Sequence, residues 1–338
     1  MTQWQLRSRI VWRISAGNSD PAKRSTKRMR EGLTTHLKLS SFVSLTTIIL
    51  FWAGTFIFIR LALKEISPVT LAMARFSLAT PILLAFSLFT REARRSFRAA
   101  LRKDFALFSA LGLTGVTLLY IFEFLSLRLI SATTGSILIN FHVILAMLLS
   151  AGFMGERLTA TKLAGVFLAF AGVLIITTGS QSMMSLSFVE PLGMLLMIVA
   201  AFCWAAYSVL SKKALVRYSV TVSTCAAFLL GTLYMIPFAL VDGGMKALLD
   251  STWVTWGSVF YLAISASVIT YILWNRVLRE AEITKVMVSL YAIPIPTAIL
   301  SYFFLGEKVT QSLILGGVVV MLGVYLTQTS KSVNSTSP

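Results

Sequence analysis

From Lys38 onward the chain alternates between long apolar runs and short polar connections. A helix needs about 20 predominantly apolar residues to cross the hydrocarbon core of a bilayer. Runs of about that length occur near 40–59, 69–89, 105–126, 131–153, 163–179, 191–211, 219–240, 254–274, 284–304 and 312–329. The connections carry Gly, Pro, Ser, Thr or charge, the residues that interrupt helices. The pattern predicts an all-α integral membrane protein with ten transmembrane helices.

Composition supports lipid as the solvent. Hydrophobic residues make up 57% of the chain and charged residues 13%, about half the charged fraction of a soluble domain. Such a chain cannot cover a water-facing surface with polar groups. The net charge of +17 raises the question of nucleic acid. The basic residues, however, lie mostly between apolar runs and no nucleic-acid motif accompanies them, so no nucleic-acid partner is expected.

Their placement sets an orientation instead. With the N-terminus inside, inner segments hold 24 Lys and Arg and outer segments 5, Arg75 lying within a span. Without the first 38 residues the ratio is still 15 to 5. Both termini are therefore predicted cytoplasmic, in the cell (inner) membrane. Residues 1–38 read as a basic cytoplasmic tail with nine Lys and Arg against Asp20 and Glu31. Within it Trp4 to Ile14 has the mixture of an interfacial helix, and a transit peptide or a later start at Met29 are the other readings. Residues 330–338 form a C-terminal tail. Cys203 and Cys225 fall in apolar runs and read as small buried hydrophobes rather than a disulfide.

The chain also repeats itself. Gly155-Glu156-Arg157-Leu158-Thr159 returns 151 residues later as Gly306-Glu307-Lys308-Val309-Thr310. Gly165 and Gly172-Val173 match Gly316 and Gly323-Val324 at the same offset, as Tyr120-Ile121 and Leu127-Arg128 match Tyr271-Ile272 and Leu278-Arg279. Trp52, Arg60 and Ala62-Leu63 match Trp204, Lys212 and Ala214-Leu215 at 152. Two repeats over 39–180 and 190–329 follow, each with five spans. An odd number of spans turns the second repeat upside down, and inverted repeats can exchange shapes around a shared midplane site.

These elements resemble a known family. Trp52-Ala53-Gly54, Ala74-Arg75-Phe76, the two Gly-Glu turns, the glycine-spaced helices after them and Pro294 are similar to the EamA-type carriers of the drug/metabolite transporter superfamily, over roughly 40–330. The resemblance implies ten helices in two repeats around a central cavity lined by the first, third, fourth, sixth, eighth and ninth spans. It implies secondary transport of a small organic substrate, an amino acid, another metabolite or a drug, by export or exchange. One departure is visible: the first-repeat counterpart of Pro294 is Val143, preceded by His142. A proton or a counter-substrate would drive such a carrier, since no phosphate-binding Gly-rich loop is present. A channel or a non-transporting membrane receptor is the alternative. An enzyme is not expected, because His36 and His142 are the only histidines and offer no metal-binding or nucleophile–base spacing. No cofactor or metal is expected.

Ionisable groups inside apolar spans cost about 2.5–3.5 kcal/mol on insertion scales, so each needs a reason. Arg75 could snorkel, or pair with an acid or with an anionic group of the substrate; the resemblance favours a structural role. Glu123, in the third span, could bind a cationic substrate or carry a proton, or pair with Arg128 or Arg75. Its counterpart is Trp274, a place where the halves differ. His142 is the second candidate for proton coupling, with Asn140 beside it. Asn140, Asn275, Tyr120 and Tyr271 could bind a polar substrate or hold helices together. Trp52, Trp204 and Tyr207 are mid-span aromatics and candidates for a cavity wall. Glu156 and Glu307 read as caps at helix ends.

Overall fold

A computed structural model describes residues 39–87, 89–129, 138–178, 190–305 and 311–330. The tail over 1–38 with its interfacial, transit-peptide and Met29 readings, the segment 131–137, the second Gly-Glu turn with Glu307, and the tail after Ser330 lie outside the described residues.

Among the described residues every regular element is helical. The first half contains α1 (Leu39–Ala62), α2 (Pro68–Ser87), α3 (Arg91–Lys103), α4 (Phe105–Gly112), α5 (Leu118–Leu129), α6 (Phe141–Met154) and α7 (Ala160–Thr178). The second contains α8 (Glu190–Ala214), α9 (Val220–Asp242), the short α10 (Met245–Leu249), α11 (Trp253–Ala263), α12 (Thr270–Glu280), α13 (Ile283–Val288), α14 (Pro294–Leu305) and α15 (Gln311–Thr329). Among the described residues six stretches are long and apolar enough to cross a membrane: Leu39–Ile59, Pro68–Ser87, Phe105–Ser126, Pro191–Ala214, Val220–Asp242 and Trp253–Glu280. Shorter apolar helices occupy Phe141–Met154, Ala160–Ile175, Ile283–Thr297 and Ile314–Thr329. Phe153, Phe167, Leu195, Ile314, Leu315 and Val318 point outward from these helices, a surface suited to lipid rather than water.

Local chemistry explains the helix ends. The Thr90 and Ser219 hydroxyls accept from the Ala93 and Val222 amides and start α3 and α9. Gly155 and Gly243, both at φ 65°, end α6 and α9 in the left-handed conformation that glycine adopts without strain. Two features depart from simple spans. The ninth run is not one helix: α13 passes through a 3-10 turn, Ser289–Ala292, before α14 begins at Pro294. Proline has no N–H to continue the ladder, and its ring crowds the preceding turn. The third and eighth runs each contain a π-helical turn, Leu113–Thr117 and Ile264–Ile269. Their starts are 151 residues apart, so the same distortion occupies the same place in both halves.

Equivalent residues of the halves meet one another. Tyr120 and Tyr271, 151 apart, bring their hydroxyls within 3.1 Å. Thr80 and Thr232, 152 apart, share a 2.8 Å hydrogen bond. The rings of Trp52 and Trp204 lie 5.3 Å apart, edge to face. A residue touches its own counterpart only near an axis that exchanges the two halves, so these pairs mark an approximate two-fold axis. The equivalent helices α7 and α15 run antiparallel: Gly165 faces Gly323 and Thr327, whereas Gly172 faces Gly316 and Val320. Their backbones touch there. A Cβ on Gly323 would stand 2.6 Å from the Gly165 carbonyl and also strike the Ala169 amide.

Candidate functional site

The two-fold axis passes through a buried aromatic cluster. Trp204 stacks on Tyr207, with ring centroids 5.4 Å apart. It also meets Tyr271 and Trp274, at 5.6 and 5.3 Å. Trp52 closes on Trp274 at 5.6 Å. Tyr207, Tyr271 and Trp274 are fully buried and Trp204 nearly so. The tryptophans thus form a packed wall at the junction of α1, α8 and α12, with rings in mutual contact.

Polar groups thread this wall. Tyr271 donates its hydroxyl proton to the Gly115 carbonyl at 2.9 Å, which leaves Tyr120 as the donor to Tyr271. Asn275 uses its amide nitrogen on Tyr207 Oη at 3.0 Å and Thr224 Oγ1 at 2.9 Å. Its Oδ1 is buried without a partner among the described residues, as are Trp274 Nε1 and Thr270 Oγ1. A buried polar group left unpaired costs about 1–3 kcal/mol. All three lie on α12.

Arg75 has a defined task. It is buried, donating from Nε to Ser267 Oγ at 2.6 Å and from Nη2 to the Ala266 carbonyl at 2.9 Å. Both acceptors belong to the second π turn, whose widened geometry disturbs the regular ladder and turns Ala266 outward as an acceptor. Trp52 Nε1 donates to the same carbonyl at 3.3 Å. The Arg75 guanidinium also lies 4.6 Å from the Tyr120 ring centre, a cation–π contact. The first π turn has no such arginine, because the counterpart of Arg75 at 152 residues is Ala227. There Thr117 Oγ1 donates to the Gly231 carbonyl at 2.8 Å.

Glu123 lies one turn beyond Tyr120 and makes no ion pair within 4 Å among the described residues, although the Arg75 charge reaches it. Arg75 is committed to α11–α12 instead. The Arg128 side chain, the other expected partner, lies outside the described residues. His142 Nδ1 sits 2.6 Å from the Ile139 carbonyl. A carbonyl only accepts, so in the neutral ring Nδ1 carries the proton and Nε2 presents a lone pair, buried and without a partner. No hydrogen bond or ring contact among the described residues joins His142 to the aromatic cluster. Asn140 is buried just before α6.

A second cluster, unanticipated from sequence, joins the halves at the end of the bundle where α1 begins and α15 stops. Lys162, 1% exposed, holds Nζ 3.1 Å from Glu156 Oε1 and 3.0 Å from Glu282 Oε2. Glu156 belongs to the α6–α7 turn and Glu282 to the α12–α13 turn, so one ammonium bridges both repeats. Ser150 Oγ and, at 3.4 Å, the Thr284 amide also donate to Glu156. Lys285 lies 3.7 Å from Glu282 and donates to the Ser330 carbonyl at 2.9 Å, while Lys212 donates to the Ala281 carbonyl. Burial alone would raise the Glu156 carboxyl; the Ser150 and Thr284 hydrogen bonds and the Lys162 charge together hold it below the ordinary value.

Glu156 is therefore more than a cap. The cap of α7 is Thr159, whose Oγ1 accepts from the Lys162 amide at 3.2 Å. The signal in the sequence was the pair of lysines at the apolar ends of helices, Lys162 and Lys285, each with an acid a few residues upstream. By the 151-residue offset Lys162, Glu282 and Lys285 correspond to Leu313, Ser131 and Thr134, so the opposite end of the molecule cannot form the same ion pairs. At that end the Asp242 carboxylate accepts from Ser67 and Thr70, and Glu65 from the Thr252 amide and hydroxyl, the latter two at 2.7 Å.

The model of the EamA-like transporter family matches this chain twice, over residues 40–178 and 191–329. An uncharacterized transporter of Archaeoglobus fulgidus is 40% identical over 294 residues, 87% of this chain and 96% of that protein. A probable terminal-alkyne amino-acid exporter of Streptantibioticus cattleyicolor is 27% identical, covering 86% of this chain and 94% of its own. A probable amino-acid metabolite efflux pump of Escherichia coli is 27% identical, covering 82% and 91%. A solved crystal structure superposes with a TM-score of 0.68 at 22% identity, over 85% of this chain and 96% of that one, a likeness of fold.

Proposed function

The chain belongs to the EamA-like transporter family, and from that premise we propose that it exports or exchanges a small amino-acid-like metabolite, a related solute or a drug by alternating access. It is a multi-pass membrane protein and a transporter of small metabolites. In the proposed arrangement ten helices cross the cell membrane as two inverted five-helix repeats, 39–180 and 190–329, with both termini cytoplasmic. The substrate site lies around Trp52, Arg75, Tyr120, Glu123, Asn140, His142, Trp204, Tyr207, Tyr271, Trp274 and Asn275.

The contact of equivalent residues across antiparallel helices carries this reading. Two halves related in that way can adopt each other's shapes, which opens one face and then the other around whatever lies on the axis. The unpaired Trp274 Nε1 and Asn275 Oδ1 support a polar ligand at that level. The ion pairs around Lys162 support a closed passage at the α6–α7 and α12–α13 end, because opening there must part Glu156 from Glu282.

Purified protein would be screened by thermal shift against amino acids, nucleosides, polyamines and cationic drugs. Each hit would then be tested for counterflow in proteoliposomes. Saturable uptake accelerated by substrate on the opposite side is the expected result. Unsaturable conductance would replace the carrier with a channel, and binding without flux with a receptor. Substrate should also change tryptophan fluorescence. Unchanged affinity in Trp52→Phe/Trp204→Phe would return those rings to packing alone.

A further inference from the structure

We propose that the arginine face of α3 binds anionic lipid headgroups of the membrane in which the chain is embedded. Arg91, Arg95, Arg98 and Arg102 follow at i, i+4, i+7 and i+11 and so form one stripe along the helix. Arg94 and Lys103 widen it. The six side chains line one surface depression of about 500 Å³. The opposite face is fixed to the protein through Phe97 and Ala100, which are buried. Glu92 is the single acid of the helix, and among the described residues none of the six basic groups is held in an ion pair. Six like charges around one depression repel one another, and an anion seated among them removes that repulsion.

The position of the helix selects the anion. Three residues separate the end of α2 at Ser87 from Arg91, and Asp104 alone separates Lys103 from α4. Helix α3 is therefore tied at both ends to membrane-spanning segments, with about 10 Å of slack. Phe86, Phe89 and Phe105 bracket it and are 64%, 87% and 51% exposed. Apolar rings at both ends of a basic amphipathic helix place it in the interface, rings toward acyl chains and charges toward headgroups. Guanidinium forks match the paired oxygens of a phosphodiester. A lipid phosphate is then already at the required depth, whereas a free phosphate has no apolar tail to engage the phenylalanines.

The full chain would be reconstituted in phosphatidylcholine nanodiscs doped with phosphatidylglycerol, and the lipids it retains counted by native mass spectrometry. The wild type is expected to retain phosphatidylglycerol over phosphatidylcholine. Arg94→Gln/Arg95→Gln/Arg98→Gln should weaken that preference about 100-fold, from the usual attraction of each basic group near an anionic surface. Lys213→Gln/Arg276→Gln/Arg279→Gln removes three exposed basic residues from the same end of the bundle and should leave the preference intact. Equal losses in both triple variants would mean general surface charge and overturn the site. Equal retention of the two lipids by the wild type would overturn it as well. Displacement of the lipid by inorganic phosphate at matched ionic strength would make it a site for free anions and overturn the lipid assignment. Unchanged unfolding midpoints in both triples verify that folding is not being read.

Discussion

Lys162→Gln removes the cation that, among the described residues, forms ion pairs with both Glu156 and Glu282. Lys162 is 1% exposed and Glu156 6%, with separations of 3.1 and 3.0 Å to the two carboxylates. Removing one member of a buried pair costs about 3–5 kcal/mol, because the remaining charge stays desolvated. Glu156 keeps its bonds from Ser150 and Thr284, and Glu282 keeps Lys285 at 3.7 Å, so the lower figure applies. If the ion pairs exist only when this end is closed, about 3 kcal/mol moves the closed-to-open ratio by about 100-fold. The readout is a cysteine at Ala281, in a chain whose two buried cysteines, Cys203 and Cys225, are changed to alanine. Its labelling by an impermeant maleimide should accelerate strongly with Lys162→Gln and return toward wild type with Lys162→Arg. A lower unfolding midpoint with unchanged labelling would show that the cluster stabilises every state equally, which would refute its role as a closure.

Gly323→Ala should destabilise the protein by about 1–3 kcal/mol, since the added methyl meets the Gly165 and Ala169 backbone; an unchanged melting temperature would deny the close approach of α7 and α15. Glu123→Gln should abolish uptake driven by a proton gradient while sparing exchange, and unchanged driven uptake would remove Glu123 as the proton carrier. Glu156 titrates below its ordinary value of 4.5 in the folded chain. Its contribution to stability is therefore complete above that pH and is lost as pH falls through the lowered value. Melting temperatures of wild type and Glu156→Gln should converge on acidification, and a constant difference down to pH 3 would contradict the cluster.

The apolar runs located the six described stretches long enough to cross a membrane, because length and hydropathy decide membrane crossing almost alone. The repeat was legible as an offset of 151 or 152 residues. Which counterparts touch was not: Trp52 with Trp204 and Tyr120 with Tyr271 depend on where the axis passes, and no local pattern encodes that. The π turns were equally hidden, since Leu113–Thr117 and Ile264–Ile269 read as unbroken apolar helix. That concealed the destination of Arg75, for which Glu123 had been the natural partner. The ion pairs of Lys162 escaped notice because basic residues at span ends were counted for orientation, and counting discards pairing. Helix α3 was hidden in the same way within a polar connection.

The π turn before α12 has a consequence of phase. Each residue of an α-helix advances about 100° around the axis, and a π turn accommodates one residue more than the α-helix it interrupts. Helices α11 and α12 are thus one rod whose two ends are dialled differently, the first for packing and the second for the axis. Deleting a single residue such as Ser265 would let α11 and α12 close into one regular α-helix with Tyr271, Trp274 and Asn275 still facing the axis, while the displaced acceptors of Arg75 at Ala266 and Ser267 would be lost with the turn.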